Sequence, residues 1–111
     1  MRNIFAYKRY FLDFYGAQTK DVQEKIEWTF DLVRELTRIP EKYFKHLEGT
    51  DGLYEIRVQV GSNIYRIFCF FDDGNLIVLG NAFQKKDQKT PKNEIKMAAK
   101  IKKEYFDEKE S

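Results

Sequence analysis

LYEIRVQVGSNIYRIFCFFDDGNLIVLGNAF, Leu53–Phe83, decides the fold. It divides into three apolar-rich runs, LYEIRVQV, NIYRIFCFF and NLIVLGNAF, separated by Gly61-Ser62 and Asp73-Gly74. The first run alternates with period two, as a strand with one buried face does. Gly-Ser and Asp-Gly are turn pairs that accept the left-handed backbone of two-residue hairpins, the second of type I′. The stretch therefore predicts a three-stranded antiparallel meander. Two-residue turns fix the register. Val60 then faces Asn63, Val58 faces Tyr65, Ile56 faces Ile67 and Arg57 faces Arg66. In the second hairpin Phe70 faces Ile77, Phe68 faces Leu79 and Arg66 faces Asn81. One face collects Tyr54, Ile56, Val58, Tyr65, Ile67, Cys69 and Val78, and is the face that helices should cover. The other carries Glu55, Arg57, Gln59, Arg66 and Asn81 at one end, and Phe68, Phe70, Ile77 and Leu79 at the other.

Upstream of the meander, Ile4–Tyr7 reads as a short strand that could extend into RYFLDFY. Thr19–Ile39 reads as an amphipathic helix. Val22, Ile26, Thr29, Phe30, Val33 and Leu36 recur at spacings of three and four, and Asp21 with Glu24 forms a capping-box pattern. Pro40 ends that helix and can open a second, PEKYFKHLE, from its first turn. Downstream, Thr90-Pro91 predicts a helix start with Thr90 as the cap, and the helix runs to about Phe106. Its buried stripe would be Ile95, Ala98, Ala99, Tyr105 and Phe106. The expected order is an N-terminal strand, two helices, the meander and a C-terminal helix, an α+β domain.

At 111 residues the chain is expected to be a single domain, residues 1–111. Apolar residues at 42% and aromatics at 16% supply a core and exclude a disordered protein. No apolar run approaches the ~20 residues that span a bilayer. Charges interrupt the apolar N-terminus, so no signal peptide is expected and the cytoplasm is the expected location. The single cysteine, Cys69, has no partner for an internal disulfide and reads as a small core residue. The single histidine, His46, reads as a surface or half-buried residue of the second helix. No glycine-rich phosphate loop, nucleophile triad or metal-ligand cluster occurs.

The net charge is only +2, but Gln84–Lys103 holds eight lysines against Asp87 and Glu94. Along Asp21–Glu35 acids outnumber bases. Lys85 and Lys86 follow the third strand, and Lys89 and Lys92 flank the next helix start. Like charges facing each other across strands cost stability, so Arg57 opposite Arg66 asks for an anion between them. Glu55, on the same face, supplies a structural answer; a phosphate supplies a functional one. The lysines after the third strand would add charge to that end of the sheet, and helix amides nearby also favour anions.

LEGTDGLYEIR, then YRI, then a D-G turn, then FQKK with T-P downstream resembles the RelE/ParE superfamily of type II toxin–antitoxin toxins, most closely the phage-related HigB-like branch. The resemblance runs over nearly the whole chain. It implies a RelE-like fold and a ribosome-dependent endonuclease that cuts mRNA in the A site, with the RNA 2′-OH as nucleophile and no metal or other cofactor. It implies Arg57 and Arg66 as phosphate clamps and Lys85 and Lys86 in phosphate binding or proton transfer. Glu55 is then the general base or the residue that orients the arginines. Lys89, Lys92, Asn81 and Phe83 would contact RNA, although Phe83 fits core packing equally well. The implied partners are the ribosome with its message and a cognate antitoxin, often of helix-turn-helix type. A ParE-like inhibitor that binds DNA gyrase without cutting RNA shares the fold and is the alternative; a degenerate toxin kept for a partner is a third reading.

Overall fold

The computed structural model describes residues 1–111. The elements are β1 (Asn3–Ala6), α1 (Tyr10–Gly16), α2 (Lys20–Glu35), β2 (Phe44–His46), β3 (Tyr54–Val60), β4 (Asn63–Asp72), β5 (Leu76–Lys85) and α3 (Lys92–Glu110). One five-stranded sheet runs in the order β1-β5-β4-β3-β2. β1 lies parallel to β5, and the other neighbours are antiparallel. The meander forms as expected, within an α+β arrangement compatible with a RelE-like fold.

The sheet buries both faces, not one. α1 and α2 cover Ile56, Val58, Tyr65, Ile67, Cys69, Ile77 and Leu79. On the far side α3 sets Ala98 and Ile101 against Phe68, Phe70 and Val78. Each wholly buried aliphatic side chain contributes roughly 1.5–3 kcal/mol. The central strands β4 and β5 are apolar on both faces because helices lie on both.

Three upstream expectations fail for local reasons. RYFLDFY does not extend the first strand. Lys8 takes φ 52° and breaks it, and Phe11, Phe14 and Tyr15 at helical spacing then pack toward the core from α1. PEKYFKHLE is not a helix. Pro40 starts a turn whose carbonyl accepts from the Tyr43 and Phe44 amides, and Phe44–His46 become β2 along the edge of β3. Phe44 stacks on Tyr54 at 5.1 Å and meets Phe71 edge-on, packing unavailable to a short isolated helix. His46 therefore lies exposed on an edge strand. Thr19, not Asp21, caps α2, accepting from the Val22 amide, and the helix ends at Glu35 with Leu36 extended and exposed.

The β3–β4 register agrees with expectation, including Arg57 opposite Arg66. The β4–β5 register does not. Asp72 pairs with Leu76, leaving a three-residue loop in which both Asp73 and Gly74 have positive φ. This one-residue slip sends Ile77 and Leu79 to the α1/α2 face and Val78 to the α3 face. A bulge then follows. Cys69 pairs with Leu79 and Ile67 with Ala82, so Gly80 and Asn81 together oppose Phe68. Both point toward α3: a Cβ on Gly80 would lie 3.7 Å from Ile101, and Asn81 bonds to Glu94. The second slip restores the parity lost in the loop. Arg66 faces Phe83, and Lys85 lands on the same side of the sheet as Arg57 and Arg66.

α3 starts one residue later than expected. Pro91, not Thr90, holds the cap position, with its carbonyl accepting from the Glu94 and Ile95 amides. The helix continues past Phe106 to Glu110. Its buried stripe includes Ile101, whereas Ala99 is exposed.

Candidate functional site: a cationic cleft at the end of the sheet

Past Phe68 and Phe83 the α3-facing side of the sheet turns from apolar to charged. Glu55 on β3 is buried, and its Oε1 lies 3.2 Å from Arg57 Nε and 3.4 Å from Arg66 Nε. One carboxylate oxygen thus serves two guanidinium groups held opposite each other by the strand register. Neither arginine Nε is aligned to donate a hydrogen bond, and Glu55 Oε2 has no partner. Arg66 is 6% exposed and donates from Nη1 only to the neighbouring Tyr65 carbonyl, at 3.2 Å. Arg57 is better served: its Nη1 donates to the Glu41 carbonyl at 3.2 Å and its amide to the Tyr43 carbonyl at 2.8 Å.

Lys85 joins this group from β5. Burial lowers its pKa below the ordinary lysine value; the charge of Arg66 adds to that and Arg57 adds less, against an opposing pull from Glu55. Burial and the charge of Arg57 likewise lower the pKa of Arg66. Three cations around one carboxylate leave an uncompensated positive charge that an anion would neutralise. A cleft of about 430 Å³ opens onto the arginines, lined also by Lys25 of α2, Lys42 and Tyr43 of the Pro40 turn, and Gln59 of β3. Every charged side chain lining it is a cation.

The remaining candidates divide. Phe83 packs edge-to-face on Phe68 at 5.2 Å and belongs to the core under α3. Asn81 is also buried, donating to the Glu94 carbonyl and carboxylate at 3.0 Å, so it pins the start of α3 and does not face the cleft. Lys86, Lys89 and Lys92 are exposed around the segment that joins β5 to α3 and make no ion pair. Lys25, Lys42 and Tyr43 went unseen in the sequence. The place of Lys42 and Tyr43 at the cleft depends on the turn after Pro40, which the helical reading of that segment concealed; Lys25 reaches it from α2.

The family model described as phage derived protein Gp49-like (DUF891) matches residues 13–103, most of the chain. The chain belongs to the Gp49-like family. This is a phage-derived, toxin-like family, and a toxin implies an antitoxin partner. A comparison with curated proteins gives no match. The matched span contains all of β3, β4 and β5, and hence Glu55, Arg57, Arg66 and Lys85 of this Gp49-like chain. No helix is long and apolar enough to cross a membrane.

Proposed function

We propose that this Gp49-like protein is a RelE/ParE-type toxin of the HigB-like branch, a ribosome-dependent endonuclease that cuts mRNA in the A site. The observation that carries the reading is Arg57 opposite Arg66, with Lys85 beside them and a single carboxylate to balance all three. Phosphoryl chemistry on RNA without a metal needs positive charge beside the oxygens of the pentacoordinate phosphorus that forms, and preorganised guanidinium groups supply it. Arg57 and Arg66 hold the scissile phosphate. Glu55, with its Oε1 shared between them, orients the arginines. Lys85 in its neutral form takes the proton of the 2′-OH; burial and the neighbouring arginines lower its pKa and so favour that form more than in an ordinary lysine. The 2′-oxygen then attacks phosphorus, the P–O5′ bond breaks, and the 5′-oxygen takes up a proton from a cleft ammonium or water. The products are a 2′,3′-cyclic phosphate and a 5′-hydroxyl end.

The test is translation in vitro with the purified protein, read by primer extension on the message. Ribosome-dependent cuts are expected with the natural chain, and Arg66→Ala should reduce them by roughly 100-fold or more. An intact message and normal translation would remove the nuclease reading, and gyrase inhibition, the ParE-like alternative, would be assayed next.

A further inference from the structure

Tyr43 on the wall of the cleft forms an aromatic pair with Trp28, which stands just outside the cleft lining, and the phosphate chemistry uses neither ring. Trp28 of α2 is 44% exposed, unusually open for the largest side chain in the molecule. It meets Tyr43 at 5.6 Å and 74°, ring edge to ring face. Each ring has an ammonium beside it: Lys25 Nζ lies 4.2 Å from the Trp28 ring centre, and Lys42 Nζ lies 5.6 Å from that of Tyr43. Tyr43 is fixed relative to the arginines because its carbonyl accepts the Arg57 amide at 2.8 Å. Tyr43, Lys25 and Lys42 line the same cleft as Arg57 and Arg66.

We infer that this aromatic pair is a nucleobase subsite, in which Tyr43, braced edge-on by Trp28, stacks on the base of the nucleotide next to the phosphate held by Arg57 and Arg66. The inference rests on the proposed RNA chemistry and adds the element that grips a base. Single-stranded nucleic acid is held by this combination: a cationic track for the backbone and aromatic faces for the bases. Lys25 and Lys42 are the cations that would follow the flanking phosphates. Stacking accepts any base because each has a π-face, so the subsite adds grip with little sequence preference. An acidic protein segment would find the same cations. It would have no use for a tyrosine ring held beside two opposed arginines, which is why a nucleotide is the favoured occupant.

Trp28 is the only tryptophan, so its fluorescence reports on this site alone. The experiment titrates the full chain at low salt with a short single-stranded RNA carrying 2′-O-methyl groups, which binds but cannot be cut. Binding is read twice, by Trp28 emission and by anisotropy of a dye on the RNA. Saturable quenching of Trp28 is expected, with the same Kd from both signals. Tyr43→Ala should weaken binding roughly ten-fold, and a strand with abasic residues should bind the natural chain about as weakly. Tyr43→Phe, which keeps the ring, should bind like the natural chain. RNA that binds by anisotropy while Trp28 emission stays constant and Tyr43→Ala keeps full affinity overturns the subsite and leaves the nuclease reading standing. An abasic strand or a polyglutamate peptide that quenches Trp28 as strongly as intact RNA also overturns it, in favour of a general anion surface. Absence of any RNA binding overturns the subsite, while the primer-extension assay judges the nuclease reading separately.

Discussion

Lys85 is the residue on which the proposed chemistry turns. Its pKa is lowered because burial and two neighbouring guanidinium groups all disfavour its ammonium form. With Lys85 as base, the cleavage rate on preformed ribosome–message complexes should rise about ten-fold per pH unit on the acid side of its pKa, then level off. Lys85→Arg keeps the charge, but a guanidinium stays protonated throughout that range. That variant should lose roughly 100-fold in rate and show no comparable rise with pH. A Lys85→Arg protein with unchanged rate and profile would exclude Lys85 as the base. At this scale the sequence was legible where alternation was regular. Arg57 opposite Arg66, with Glu55 beside them, followed from one tight turn at Gly61-Ser62. Lys85 reached the right face by a route the sequence did not reveal, because the slip at Asp73–Asn75 and the bulge at Gly80-Asn81 cancel each other's effect on parity. Asn81 keeps the expected face, but the slip and the bulge together move the register by two residues, so Phe83 and not Asn81 stands opposite Arg66.

Among the elements, α3 is held by apolar burial and, around its rim, by a set of phenol and ammonium contacts to carboxylates. Tyr7 Oη donates to Glu108 at 2.5 Å, Tyr10 Oη to Glu104 at 2.8 Å, and Tyr105 Oη to Asp72 at 2.6 Å. Lys8 bridges Glu104 and Glu108, and Lys109 pairs with Asp72. The hydrogen bonds from Tyr105 and Lys109 lower the pKa of Asp72, those from Lys8 and Tyr10 lower that of Glu104, and those from Tyr7 and Lys8 lower that of Glu108. Burial and the bond to Glu108 push Tyr7 up to about 12; the bond to Asp72 and burial do the same for Tyr105. Carboxylates with lowered folded pKa stabilise fully above their unfolded values of 3.8 and 4.5, and that contribution is lost as pH falls through the folded pKa. Phenols with raised folded pKa stabilise fully below 10.0, and theirs is lost as pH rises toward about 12. Docking of α3 should therefore weaken on both sides of a broad plateau. Unfolding midpoints measured against pH should fall at both limits, and Tyr7→Phe with Tyr105→Phe should flatten the alkaline limb and also shrink the acid limb, because Glu108 and Asp72 each lose a hydrogen-bond donor. An alkaline limb unchanged in the double variant would show that these phenols do not control docking. None of these contacts could be read from the sequence, because they join residues about a hundred or about thirty positions apart. The two misread segments, RYFLDFY taken as a strand extension and PEKYFKHLE taken as a helix, are short stretches whose state is set by what they pack against.

For the whole molecule, the cationic cleft is a charge on stability. A buried carboxylate that loses its partners, or buried cations that lose theirs, commonly costs ~3–5 kcal/mol. Glu55→Ala strips the counter-charge from both arginines and should cost roughly 3 kcal/mol, at the lower end because Arg57 is 30% exposed. Arg66→Met removes one of two facing cations, leaves Glu55 paired with Arg57, and fills the space with apolar atoms. Its denaturant midpoint should match or exceed that of the natural chain, while cleavage is lost. A large loss of stability in Arg66→Met would mean that Arg66 is part of the scaffold as much as of the site. An antitoxin, which the family implies, would add stability by mass action in proportion to its binding to the folded chain alone. The facing arginines also set a direction for evolutionary drift. If Arg66→Met folds as well as the natural chain, changes of that kind that disarm the cleft meet little resistance from folding, and a lineage released from selection should accumulate well-folded, silent copies faster than unfolded ones. Only continued use of the site holds two like charges face to face.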